Sequence, residues 1–150
     1  MKAIEALKCT RLALLKTVEG LSEQQLVKVP SGFNNSILWN LAHLAVTQQL
    51  LNYKLSGLPM YLSEQLVEEN KKGTSPASWS NAPDINFIKQ QLIELPETLD
   101  RDYSAGKFKQ YNAYMTSAGF ELRDIDDSII FNGFHEGIHL GTVMALKKLV

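Results

Sequence analysis

Cysteine occurs once in this chain, as Cys9, so no internal disulfide can form and the fold must be held by its core. A reducing compartment is the simpler setting, and the expected location is cytoplasmic. Cys9 lies among the apolar residues of a helical pattern and reads as a small buried hydrophobe. Neither charge sign dominates: 15 Lys and Arg stand against 16 Asp and Glu, for a formal net charge of -1. Phosphate backbones and anionic lipid attract concentrated basic faces, so nucleic acid is not an expected partner. No apolar run approaches the roughly 20 residues needed to cross a bilayer, so no membrane span is expected either. From Met1 to Val18, Lys2, Glu5, Lys8, Arg11 and Lys16 interrupt the apolar positions. A signal peptide has an unbroken apolar stretch, so this segment is expected to remain as a structural helix. Internal repeats and low-complexity tracts are lacking too.

What is present suits one domain over residues 1–150, with 45% hydrophobic and 21% charged residues, enough to bury a core without staples. Ile4, Leu7, Leu12, Leu14 and Leu15 recur at roughly helical spacing, which predicts a first helix over Lys2 to Val18, closed by Gly20. Ser22 with Gln25 three residues on predicts a short capped turn before Pro30, Ser31 and Gly32. A second long helix is expected from Asn35 or Ser36 to Ser56, stopped by Gly57 and Pro59, and a minor one within Ser63 to Lys72. The stretch from Gly73 to Pro83 reads as an irregular crossover. Asp84 as N-cap opens a third long helix ending near Tyr103, which Pro96 should kink or divide. Lys107 to Tyr114 is ambiguous between loop and a short extended piece. The last helix is expected from Asp124 or Asp126 to Lys147 and Lys148, acids at its start and bases at its end. Four principal helices with a long crossover between the second and third make an all-α four-helix bundle, a fold that commonly places metal sites between facing helices.

Histidine is scarce as well, and its three copies fall on the second and fourth helices. His135 and His139, four residues apart, share one helical face at a spacing suited to chelation. Ser128, Asn132 and Thr142 continue a polar stripe along a helix otherwise rich in Ile129, Ile130, Phe131, Phe134 and Ile138. His43 follows Trp39 and Asn40 by one turn. Alone it reads as a core histidine bonded to a neighbour; taken together the three open the reading of a shared divalent-metal site beside that of histidines kept as core packing without a metal. His135-Glu136-Gly137-Ile138-His139 also matches H-E-x-x-H, the zinc-protease pattern with glutamate as base. Such proteases take a third ligand from downstream, yet Leu140 to Val150 offers none, which disfavours peptide hydrolysis. Glu136, one residue off the ligand face, reads as a solvated or capping carboxylate, with orientation of a ligand as its functional alternative.

These residues resemble the DinB/YfiT-like superfamily of bacterial four-helix-bundle metalloproteins. The likeness runs from the N-terminal helix through Asn35-Ser36-Ile37-Leu38-Trp39-Asn40-Leu41-Ala42-His43-Leu44 and the Lys72-Gly73-Thr74 crossover to Phe134-His135-Glu136-Gly137-Ile138-His139-Leu140-Gly141. The resemblance implies that His43, His135 and His139 are the ligands of a divalent metal ion, commonly nickel, zinc or iron. It also implies kinship in fold with transferases that use a low-molecular-weight thiol, so a thiol S-transferase acting on a small electrophile is the expected activity. The alternatives are a noncatalytic metal-binding or stress-response module and, behind it, a metal-dependent hydrolase. Gly133, Gly137 and Gly141 recur every four residues on the histidine helix, on the side away from the histidines. Such a groove admits either the Leu21 to Asn34 connection or a second subunit. Resemblance, with the self-complementarity of a two-fold contact, points to a homodimer.

Overall fold

Side-chain caps mark where every α-helix after the first begins. The computed structural model describes residues 1–150, and in it Ser22, Ser36, Ser63, Asp84 and Asp124 each accept a bond from a backbone N–H in the first turn of the helix that follows. Each such cap is worth about 1 kcal/mol. The resulting order is α1 (Lys2–Thr17), α2 (Glu23–Val27), α3 (Ile37–Gln48), α4 (Glu64–Asn70), α5 (Ile85–Ser104), a hairpin of β1 (Tyr114–Met115) and β2 (Glu121–Leu122), and α6 (Ile125–Leu146). Ser22 and Gln25 form the full capping box expected for α2. β1 and β2 pair antiparallel, Tyr114 opposite Leu122 and Met115 opposite Glu121, resolving the ambiguous stretch as loop followed by a minimal sheet.

Three local expectations are corrected. The second long helix runs on past Gln48 but widens into a π-helical turn over Gln49–Lys54, where Leu55 N–H reaches Leu50 O. Pro96 does not divide α5, which continues unbroken from Ile85 to Ser104 with the proline ring buried. Cys9 is exposed, because the buried stripe of α1 is Ile4, Leu7, Arg11 and Leu14, and Cys9 sits roughly 200° around the helix from Leu7.

α1, α3, α5 and α6 pack as an all-α four-helix bundle: α1 lies against α5 and α6, α3 lies against the same two, and α1 and α3 face each other across the diagonal. The crossover from α3 to α5 carries α4 and a short 3₁₀ turn at Pro76–Ser78. Two apolar clusters fill the bundle. One gathers Leu14, Leu41, Leu44, Leu92 and Val143, and the other Ile4, Leu7, Tyr53, Leu99 and Ile129. Full burial of each such aliphatic side chain contributes roughly 1.5–3 kcal/mol before entropy is charged.

Between the clusters lies a polar layer. Arg11, 1% exposed, meets Glu136, 0% exposed, through Nε at 2.8 and 2.9 Å and Nη2 at 2.5 Å. The same Nη2 donates to Leu44 O and to Gln48 Oε1, both at 3.1 Å, and Gln48 in turn donates to Leu95 O. Asn132 donates to Glu136 from one turn earlier. All four long helices thus meet in one network. Burial pushes the Glu136 carboxyl up, while the Arg11 charge and the bonds from Arg11 and Asn132 oppose it. Removing one partner of such a pair strands a buried charge, so Arg11→Ala should lose about 3–5 kcal/mol in urea unfolding. The double variant Arg11→Met, Glu136→Leu should recover most of that loss. A single variant as stable as the parent protein would show that the pair constrains nothing.

Candidate metal centre

His43 enters the bundle from α3, and His135 and His139 come from the facing stretch of α6. Their ring centroids lie 4.5 Å apart for His135 and His139, 4.9 Å for His43 and His139, and 5.3 Å for His43 and His135. One nitrogen from each falls within 4.8 Å of the others. Nitrogens bound to one ion at roughly 2.0–2.1 Å stand about 3 Å apart, so side-chain rotation would have to draw the three together to close the set.

Neighbours fix two of the three tautomers. His43 Nδ1 is 2.8 Å from Asn70 O, and a carbonyl only accepts, so Nδ1 carries the proton and Nε2 keeps its lone pair. Asn40 Nδ2 donates to Ser36 O at 2.7 Å, which leaves Asn40 Oδ1 to accept from His139 Nδ1, also at 2.7 Å. His139 therefore also keeps its Nε2 lone pair. Such carbonyl partners are the usual outer support of metal-ligating histidines. His135 Nδ1 is buried with no hydrogen-bond partner, a cost that would be removed if that nitrogen were the one to coordinate a cation. Three neutral imidazoles, one with an orphaned nitrogen, fit a borderline divalent ion.

Trp39 stacks on His43 at 4.6 Å and 10° between planes, and donates from Nε1 to Thr74 of the crossover. Trp79 donates to Asn70 Oδ1, so the crossover is tied down at the residue whose carbonyl orients His43. Asn70 carries no signal of this role in the sequence, and Arg11 shows there only as a charge on the first helix, although its place on the stripe of Ile4, Leu7 and Leu14 is a readable signal. Asn40 was visible only as a neighbour of His43, although its spacing of four from Ser36 and three from His43 was a readable signal.

Glu136 is not the solvated or capping carboxylate expected of it. Its place on the stripe Ile129, Asn132, Glu136 and Val143 turns it into the centre of the bundle, where Arg11 holds it. The H-E-x-x-H glutamate is thereby committed to the core. Of the remaining polar stripe, Ser128 is buried and donates to Asn52, whereas Thr142 bonds back to Ile138 O. The glycine stripe does lie away from the histidines, but the Leu21 to Asn34 connection does not fill it. A Cβ placed at Gly133, Gly137 or Gly141 would meet nothing within 4 Å. Ile130, Phe134 and Ile138, each more than half exposed, flank it.

An α-helical bundle whose facing helices offer three imidazoles to one point defines a class of candidate metalloproteins. The pattern of the DinB superfamily matches residues 6–143, and the chain belongs to that superfamily. No curated protein matches it.

The imidazoles share a strong bias toward the neutral form. Burial, then the neighbouring histidines and Arg11, pull His135 down to about 3; burial and His43 pull His139 down to about 4. Burial lowers His43 too, against the opposing Asn70 bond. In the unfolded chain each imidazole takes up a proton near 6.5. The unfolded state therefore binds more protons from about pH 6.5 down to about 3–4, and stability falls as pH falls through that window. Metal-free protein should show a thermal midpoint that drops between pH 7 and pH 5, with a shallower drop in His135→Gln. A midpoint independent of pH over that range would contradict neutral, buried imidazoles.

Proposed function

We propose that this protein is a metal-dependent transferase that joins a low-molecular-weight thiol to a small electrophile, with His43, His135 and His139 as the metal ligands. The observation that carries the reading is a cluster of three neutral imidazoles with no carboxylate or thiolate among them, so that an ion held there keeps coordination positions for an outside ligand. Bound nickel, zinc or iron would supply positive charge that lowers the pKa of a thiol at neutral pH.

The chain's own residues do the rest. The Asn70 carbonyl and the Asn40 amide oxygen hold two rings with their Nε2 lone pairs free, and Thr47 Oγ1, 3.3 Å from His43 Nε2, covers that nitrogen in the absence of a better partner. A cavity of about 280 Å3 bordered by His43, His135, Leu50, Leu51 and Phe131 gives the electrophile an apolar wall and limits water around it. In the reaction the thiol proton leaves to solvent, a sulfur–carbon bond forms, and the leaving group departs with the bonding pair. Hydrolysis by a glutamate base is disfavoured, since Glu136 is spent on Arg11. A noncatalytic module, in which the ion only ties α3 to α6, is the second reading, favoured by the direct span of the three ligands across those two helices.

Each single His→Ala variant should retain markedly less metal by elemental analysis of untagged protein. Cobalt-substituted protein should develop a thiolate-to-metal charge-transfer band on addition of cysteine or 2-mercaptoethanol. Unchanged metal content in all three variants sinks the ligand assignment. A tightly held cobalt ion indifferent to every thiol tried leaves the noncatalytic reading in front.

The reading includes a cytoplasmic setting, to which an exposed free thiol at Cys9 is suited, and a homodimer. Support for the dimer is the exposed apolar face of α6, Ile130, Phe134 and Ile138 beside the open glycine stripe. A two-fold contact there would be self-complementary. Sedimentation should give a dimer for the parent protein and a monomer with unchanged metal content for Phe134→Glu. A parent protein that stays monomeric at high concentration excludes the contact.

A further inference from the structure

Thr47, Leu50, Leu51, Lys54 and Leu55 follow His43 along one stripe of α3 and its π-helical continuation, and all of them border the same cavity. The stripe covers about three turns, so the cavity is drawn out along the helix rather than gathered around the histidines. Tyr114, Thr116 and Ser117 of the hairpin close it from the other side. At about 280 Å3 it stands at the low end of small-molecule pockets, which run from roughly 300 to 1,000 Å3.

Its charge is one-sided. Lys54 and Lys72 are its only charged lining residues, and no Asp or Glu borders it. A second, more open cavity on the far side of the histidines shares His43, Lys72, Ser117 and His135 and likewise has no carboxylate in its wall. Acids outnumber bases in the chain as a whole, so their exclusion from both cavities is local. Neither lysine is engaged in an ion pair: the paired cations are Lys8, Arg11, Lys71, Lys107 and Arg123. Glu68 feels Lys54 but is itself bonded to Lys71. Two free ammonium groups beside a wall of Leu50, Leu51, Leu55 and Phe131 are complementary to a molecule that is apolar along its length and negative at one end.

We propose that this cavity receives a small electrophilic substrate with an extended apolar body and an anionic group, such as a carboxylate. The leucine stripe packs the body, and the field of Lys54 and Lys72 selects the anion. The proposal rests on the transferase reading for the word substrate, but the selectivity belongs to the cavity and is measured apart from catalysis. Octanoate, 1-octanol and octylamine share one apolar chain and differ in the charge of the end group, so they serve as probes. Calorimetric titration of the metal-loaded protein should show octanoate binding about fivefold or more tightly than 1-octanol, and octylamine weakest. The double variant Lys54→Met, Lys72→Met should bring octanoate down to the level of 1-octanol while leaving 1-octanol binding and metal content unchanged.

Because a carboxylate can also bind a metal directly, a preference for octanoate that survives in the lysine variant overturns the proposal. Equal binding of octanoate and 1-octanol by the parent protein overturns it too, as does failure of octanoate to bind. None of these outcomes touches the metal reading, which stands or falls on the cobalt spectrum and the metal content of the histidine variants.

Discussion

One buried ion pair sets the rotation of the helix that carries two of the three histidines. Arg11 of α1 reaches through the bundle centre to Glu136 of α6 and, with the same guanidinium, to Leu44 O and Gln48 of α3. A carboxylate so placed cannot turn outward without leaving an uncompensated charge in the interior. With Glu136 pinned toward the axis, His135 and His139 lie about 100° and 60° to one side of it, and the glycine stripe lies to the other. The first side meets α3 and His43. On the second side a Cβ at Gly133, Gly137 or Gly141 would meet nothing within 4 Å, and beyond them stand the exposed Ile130, Phe134 and Ile138. The histidine cluster and the apolar outer face are consequences of the same rotation. As a source of stability the pair is close to neutral; its role in this fold is to specify an arrangement.

Much of that arrangement was written in local signals. Ser22, Asp84 and Asp124 announce helix starts because a short side chain that accepts from the first-turn N–H groups has few other uses there. The spacing of His135 and His139 required only helical geometry. Residues on the buried stripes were legible in principle as well: Arg11 falls among Ile4, Leu7 and Leu14, and Glu136 among Ile129, Asn132 and Val143. Two opposite charges on two buried stripes call for each other. What could not be read locally is tertiary. The carbonyl of Asn70 orients His43 only because the crossover folds back over α3, and a main-chain oxygen leaves no mark in residue type. Widening of α3 into a π-helical turn has no compositional signature either. Cys9 was misplaced because apolar neighbours in sequence are not neighbours on a helix, where position relative to the stripe decides burial.

The long crossover acts as part of the site. Trp39 and Trp79 both donate into it, to Thr74 and Asn70, and Asn70 itself donates back to Leu66 O within α4. Trp39, which stacks on His43, holds the crossover to α3, and Trp79 ties the later part of the crossover back to α4. A bundle with short connections would have no backbone there to present a carbonyl to His43. In this chain the crossover supplies that acceptor and, through Lys72, a cation shared by both cavities.

The electrostatics of the centre then divide cleanly between the two helices' roles. Inside the bundle a fixed cation, Arg11, is answered by a fixed anion, Glu136. One turn toward α3 stand three imidazoles that burial and one another keep neutral, with no anion of their own. The positive charge of Arg11 adds to that bias at His135, as the smallest of its causes. Nitrogen donors that stay unprotonated at physiological pH, each ring set by an outer acceptor in two cases of three, are in the state that a metal ion demands of its ligands. The pinned Glu136 is therefore indirectly a condition of the site: it answers the buried Arg11 charge that bears on His135, and it does so from the core rather than from among the imidazoles.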